Sequence, residues 1–400
     1  MPTLVGSRML AYALDWLNLL VRWLHFTAGV AWIGTSFYYI ALDYHLLPKT
    51  DDPDPDVAGE VWEIHGGGFY RVEKYKIAPR TLPSPLHWFK WEAYTTWLSG
   101  FALLVVLYYA NASTYLVDRT VADISPLAAV GISIGLLIVG WLVYDGLSRW
   151  LEGREAWLAV AVAVVIALTA FGVSHLLSSR ASYIQVGAMI GTWMAANVRF
   201  VIIPGQQELV AAKLAGRPPD PMHGLRGKQR SVHNNYFTLP VLFAMISNHF
   251  PFTYGHPQGW LVLLALMALS AWFRHFFNLR HQGRVVWAIP ASAAVGVVVL
   301  AIAIAPRASA PAQPVTFSQA QAVISLRCVP CHSATPTQAG FSAAPNGVMF
   351  DQPEVITGRA AQIYQRAVVA RDMPLGNLTG MTQEERAQLG AWFEQGAPGP

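Results

Sequence analysis

Apolar runs of about twenty residues recur along the first three quarters of the chain, separated by short polar stretches. A hydrocarbon layer about 30 Å thick is crossed by a helix of about 20 apolar residues. Eight runs meet that requirement: Leu10–Leu42, Tyr94–Tyr115, Ser125–Tyr144, Ala156–Leu177, Tyr183–Ile203, Val232–Phe250, Trp260–Phe277 and Val285–Ala305. The first lacks a short apolar core followed by a small-residue cleavage site, and it contains Arg22 and His25. It therefore reads as a membrane helix and not as a cleaved signal. Pro and Ala dominate residues 306–314, which predicts an extended linker. From Val315 to Pro400 the apolar runs stop and polar residues return, as in a small soluble domain. The expected class is all-α: an eight-span bundle over residues 1–305, then a small domain over residues 315–400.

Composition sharpens this picture. Charged residues are only 12% of the chain and hydrophobic ones 54%, with 15 Trp, 15 Tyr and 18 Phe. That balance fits a membrane protein with aromatic belts. The net charge of +4 brings no basic cluster or nucleic-acid motif with it, which excludes that class of partner. Lys and Arg fall unevenly between the runs: 15 on one set of alternate loops and 4 on the other set with the termini. The positive-inside rule puts the first set in the cytoplasm. Both the N-terminus and the C-terminal domain are then expected on the periplasmic face of a bacterial inner membrane.

The C-terminal domain carries both cysteines of the chain, in Arg327-Cys-Val-Pro-Cys-His332. C-x-x-C-H is the attachment signature of c-type haem. Cys328 and Cys331 would hold the vinyl carbons and His332 one axial position of iron. A zinc site would need further Cys or His ligands, and none follows residue 332. The second axial ligand is expected to be Met373, in Arg-Asp-Met-Pro-Leu-Gly, with Met349 and Met381 as competitors. Thr382-Gln-Glu-Glu385 is a capping box that starts a last helix through Phe393. A helix before the motif crossing this one resembles the layout of small class I cytochromes c. Haem attachment occurs on the outer face of the bacterial membrane, in agreement with the loop charges.

Ionisable groups inside membrane runs are costly and therefore candidates for function. Arg22 and His25 share one face of the first run. His25, with His249 at the end of the sixth run, is a candidate ligand pair for a second haem. His233, Asn234, Asn235 and Tyr236 read as the entry to that sixth run, where amides could bind a polar heterocycle or cap the helix. Arg274 and His275 read as snorkelling groups. Between the first two runs, His65-Gly-Gly-Gly-Phe-Tyr-Arg71 combines backbone freedom with His and Arg and reads as a ligand loop. His87–Glu92 reads as an interfacial anchor.

Taken together, the Trp-Glu-Ile-His-Gly-Gly-Gly-Phe-Tyr loop, the His-Asn-Asn-Tyr stretch, the eight runs and the Cys-Val-Pro-Cys-His domain with Met-Pro-Leu-Gly-Asn resemble one family. It is the membrane-bound, cytochrome-c-fused bacterial urate oxidases (the PuuD family). The resemblance implies oxidation of urate to 5-hydroxyisourate, with electrons leaving through the cytochrome and not as peroxide. A periplasmic cytochrome or a terminal oxidase would accept them. Candidate catalytic residues on this reading are Arg22, His25, His65, Arg71, His233, Asn234 and Asn235. Most lie toward the cytoplasm while haem c lies outside a core of about 30 Å; either the pocket is deep or outward-facing, around Arg22, His25 and His249, or a non-covalent haem b within the bundle closes the gap. Two other classes fit the same motifs: a quinol–cytochrome c oxidoreductase, and a non-enzymatic electron carrier serving another dehydrogenase.

Overall fold

The fold was analysed in a computed structural model that describes residues 2–49, 54–305, 314–339 and 341–400. The expected linker therefore lies, except for Pro314, outside the described residues. The chain is mostly helical. In order it forms α1 (Pro2–His45), β1 (Val57–His65), β2 (Gly68–Tyr75), α2 (Trp91–Leu103), α3 (Ala112–Tyr115), α4 (Pro126–Trp150), α5 (Glu155–Ser174), α6 (Ser179–Ala196), α7 (Ile203–Leu214) and α8 (Pro221–Ile246). Then follow α9 (Pro251–Tyr254), α10 (Gly259–His281), α11 (Ala288–Ala303), α12 (Phe317–Arg327), α13 (Pro353–Gly358), α14 (Ala360–Ile363) and α15 (Gln383–Glu394). Wide π turns extend α2 over Leu104–Tyr109, join α6 to α7 over Asn197–Ile202, and follow α14 over Tyr364–Val369.

Local chemistry sets the helix starts. Ser125 accepts from the Ala128 N–H ahead of Pro126, and Asp220 accepts from the Met222 N–H ahead of Pro221. These are N-cap residues followed by Pro at the first helical position. In the C-terminal domain both Thr316/Gln319 and Thr382/Glu385 close as capping boxes.

Each of the eight apolar runs falls on helix. Among the described residues, four helical segments are long and apolar enough to cross a membrane: α4, α5, the continuous α6–α7 rod and α10. Trp16, Leu20, Trp23 and Phe26 on α1, Leu142 and Val139 on α4, and Val298 and Ile302 on α11 point outward. An apolar surface of this extent requires a non-aqueous cover. Inside the bundle, Trp193 is fully buried and stacks on Tyr144 with ring centroids 4.8 Å apart.

Two expectations need correction. First, the chain is not all-α. Residues 57–75 form an antiparallel hairpin with His65 opposite Gly68 and Trp62 opposite Arg71. Gly66 and Gly67 make its two-residue turn, with φ of +57° and +81°. Positive φ at both turn positions is the requirement of a type I′ hairpin, so two of the three glycines are explained by the turn. Second, His233–Tyr236 is not a helix entry. Its helix begins twelve residues earlier, at Pro221 behind the Asp220 cap, and carries Arg226, Lys228 and Arg230 before the apolar half. Hydropathy registers only that second half.

The C-terminal domain has its own core, in which Phe317, Ile324, Ile356, Leu389 and Trp392 pack together with Cys328 against them. It rests on the end of the bundle formed by residues 112–118 and 251–255. The hairpin lies at the opposite end, bonded to α1 through Lys74–Asp43.

Candidate functional site

His-Asn-Asn-Tyr forms the centre of a buried polar layer. The four side chains diverge around α8, each to a different neighbour. His233 Nδ1 meets Tyr144 Oη at 2.7 Å. Asn234 donates to Met194 O at 3.0 Å and accepts from Asn197 Nδ2 at 2.9 Å. Asn235 accepts from Arg274 Nε at 2.7 Å and donates to Asn278 Oδ1 at 2.9 Å. Tyr236 Oη meets His275 Nδ1 at 2.6 Å. Arg274 is therefore not a snorkelling group. It is buried, with its guanidinium 3.7 Å from the Phe37 ring centroid. Arg230, also buried, pairs with Asp145 at 2.7 Å and with Asn197 Oδ1 at 3.1 Å. These bonds answer the demand that buried polar groups find partners. They also commit most of the amide edges that a free ligand would otherwise use.

Two cavities flank this layer. One, of about 340 Å³, lies between α1, α2, α6 and α8. Its wall is mainly apolar, with glycines 29, 100, 187 and 191, the imidazole of His25, and Arg22, Tyr108 and Asn248. His25 Nδ1 lies 2.9 Å from Thr96 O. A carbonyl oxygen can only accept, so Nδ1 carries the proton and Nε2 keeps its lone pair. A Cβ on Gly100 would lie 2.8 Å from His25 Cε1, so the imidazole sits where only glycine fits. His249, the expected partner of His25, is exposed and is not part of this wall. Met194 and Met245 are.

The second cavity, of about 680 Å³, opens between α1, the hairpin, residues 86–92, α7 and the first half of α8. It is the more polar: His87, His223, Gln206, Lys228, Glu92 and Asn234 reach it. Lys74 is bonded to Asp43, and Lys228 lies 4.0 Å from the same carboxylate. Among the described residues, Trp32 is the one side chain common to the walls of both cavities. His65 and Arg71 reach neither. His65 is exposed at the hairpin tip, and Arg71 is held by Glu60 and stacked on Trp62. The sequence reading missed His87, taken as an anchor, together with His223, Gln206 and Lys228. The i,i+4 placement of His223 and Gly227, beside Lys228, on one helical turn was the available signal.

Residues 11–305 match the model of the urate oxidase N-terminal family. The chain belongs to that family. The match takes in both cavities and the polar layer but ends before the C-terminal domain. No curated protein and no solved structure matches the chain. Membership makes the chain a urate-oxidase-related protein and an oxidoreductase by relation.

Outside the matched segment, the Cys-x-x-Cys-His residues lie at the C-terminal end of α12. Cys328 and Cys331 are not joined, and burial pushes the Cys328 thiol up to about 12. His332 Nδ1 lies 2.9 Å from Val348 O, which again fixes the proton on Nδ1 and frees Nε2. Met373 is half-buried, and its carbonyl accepts from Arg386 at 2.7 Å. Met349 is exposed, and Met381 is packed into the domain core. Two unjoined thiols, an imidazole with a free Nε2 and methionine thioethers in the same domain are the donor types that a c-type haem would take.

Proposed function

We propose that this protein is a cytochrome-linked membrane urate oxidase, with urate bound in the polar cavity at the hairpin end. The observation that carries the reading is that cavity itself, within the segment matched to the urate oxidase family and lined by Lys228, His87, His223, Gln206 and Asn234. Urate is a planar anion with amide edges. Lys228 supplies positive charge, and Gln206 and Asn234 supply amide hydrogen bonds. Urate and water give 5-hydroxyisourate, two protons and two electrons. The new bond joins the water oxygen to C5. His87 and His223 are the imidazoles placed to take the proton from that water.

The apolar cavity suits a non-covalent haem b, which supplies one-electron chemistry when bound. His25 offers a free Nε2, Met194 or Met245 a sulfur, and Arg22 a cation for the carboxylates. Cys328 and Cys331 would hold haem c covalently, with His332 and Met373 as donors to its iron. The chain then spans the inner membrane eight times, with the hairpin cytoplasmic and the C-terminal domain periplasmic, and a periplasmic cytochrome or terminal oxidase takes the electrons. The test is anaerobic addition of urate to the oxidised protein while the haem α-band is recorded. Reduction is expected. The apolar cavity also favours a second reading, quinol–cytochrome c oxidoreduction. Reduction by quinol with none by urate would reverse the order.

A further inference from the structure

The C-terminal domain meets the bundle backbone to backbone at two points. A Cβ on Gly255 would lie 1.6 Å from Ala370 O, and one on Gly376 would lie 2.5 Å from Thr114 O. Gly376 has φ of +57°, and Arg371 and Asn377 beside it have φ of +52° and +48°. Left-handed backbone at non-glycine residues persists where surrounding contacts over-determine it. The strained loop that contains Met373 is thus the surface of the domain that faces the bundle.

Beneath the loop lies a continuous polar and aromatic patch. Arg180 Nε donates to Asn248 Oδ1 at 3.1 Å, and Asn248 Nδ2 donates to Tyr108 Oη at 3.0 Å. The Arg180 guanidinium stands 5.4 Å from the Tyr115 ring centroid, and Tyr108 and Tyr115 lie 6.0 Å apart. Tyr254, buried next to Gly255, feels both Arg180 and Asp372. Tyr108 and Asn248 are also wall residues of the apolar cavity. One patch therefore touches the His25 cavity on one side and the Met373 loop on the other.

We infer that the docked position is the electron-accepting position of the C-terminal domain, and that its Met373 loop is the entry face, seated by Gly255 and Gly376 over Arg180, Tyr108, Tyr115 and Tyr254. The inference rests on the function proposed above for the source of electrons, but the docking contact does not. With haem c bound, single electrons would cross this patch to reach it, and no bond would be made or broken there.

The experiment uses full-length protein with Gly255→Val and Gly376→Val, and Gly358→Ala as the control, since a Cβ at Gly358 meets nothing within 4 Å. Hydrogen exchange at residues 112–118 and 251–255 should accelerate in both valine variants and not in the control. Urate-driven reduction of haem c should be lost in the same two variants, while reduction by ascorbate and the Met-ligated haem spectrum are retained. Unchanged exchange in both valine variants overturns the docking contact. Faster exchange with undiminished urate-driven reduction overturns the entry face. Wild-type protein that urate does not reduce counts against the function proposed above, and exchange still decides the docking contact.

Discussion

Removal of Asp145 should destabilise the bundle more than removal of its partner Arg230. The pair lies 2.7 Å apart, with the arginine side chain 3% exposed and the aspartate 16%. Taking away one member of a buried pair costs about 3–5 kcal/mol, because it leaves an uncompensated charge, whereas replacing both by apolar groups is often close to neutral. The environments of the two are unequal. Asp145 also pairs with Arg149 at 2.8 Å and reaches water. Arg230 has no other carboxylate within 4.0 Å among the described residues, only Asn197 Oδ1 and the Tyr144 ring. Asp145→Ala should therefore cost about 3–4 kcal/mol, with Asn197 taking part of the load. Arg230→Met should cost about 1–3 kcal/mol, mostly the loss of a partner for Asn197. The double variant should lie near the Arg230→Met value, giving a coupling energy of about 3–4 kcal/mol, the whole cost of Asp145→Ala. The assay is detergent-titrated unfolding of the purified protein, followed by tryptophan fluorescence. Additive single effects, or a costlier arginine variant, would refute the reasoning.

Three further outcomes follow from the geometry. His25→Ala, and Gly100→Val through its clash with the imidazole, should abolish acid-acetone-extractable haem while covalent haem remains in the pellet; equal extractable haem in all three proteins would remove His25 as a ligand. Met373→Ala should convert the c-type spectrum to a five-coordinate or water-ligated form, whereas Met349→Ala should not; an unchanged Met373→Ala spectrum would shift the ligand to Met381. Glu152, clamped by Arg226 at 2.7 Å, has its carboxyl held below the usual range, chiefly by the hydrogen bond from that guanidinium. Its folded pKa is depressed, so its contribution is present above the ordinary carboxylate pKa and is lost as pH falls through the lower folded value. The pair is exposed, so Glu152→Gln should cost no more than about 1 kcal/mol near neutral pH and should flatten the acid limb of a stability–pH curve.

How far the sequence was legible follows from which signals are local. The capping box at Thr382 and the cysteine spacing are short-range, and the structure has that cap as read, while the second box, at Thr316, is seen only in the structure. The hairpin was not read because the glycine run pointed to ligand binding, although Val57, Gly59 and Val61 alternate with more exposed residues, as on a strand buried on one face. Arg274 was misread because burial depends on α1 supplying Phe37 from the far end of the chain. The same holds for the polar cavity. Its histidines come from residues 87 and 223, and nothing in either neighbourhood announces the other. His25 could be singled out because a charged or polar group inside an apolar run stands out by itself; His249 could not be matched to it, since only the fold shows that His249 faces away.

Trp32 is where these separate readings meet, since among the described residues it alone lines both cavities. On the function proposed above, oxidation would need water at the substrate and cations for its charge, so the polar cavity would be the wet one. A group that stores single electrons within a membrane gains from a dry one, where buried polar groups are few and fixed. One indole divides the two environments. Trp32→Ala should remove that wall, and as a large-to-small change it should also cost about 3–5 kcal/mol. Trp32→Phe keeps an aromatic wall and most of the volume, so it separates the loss of a barrier from the loss of packing. With urate as donor, haem c reduction should survive in Trp32→Phe and fail in Trp32→Ala, while ascorbate reduces the haem in both. If folded Trp32→Ala protein passed electrons from urate as the wild type does, the two cavities would be one functional space and the division argued from their walls would be wrong.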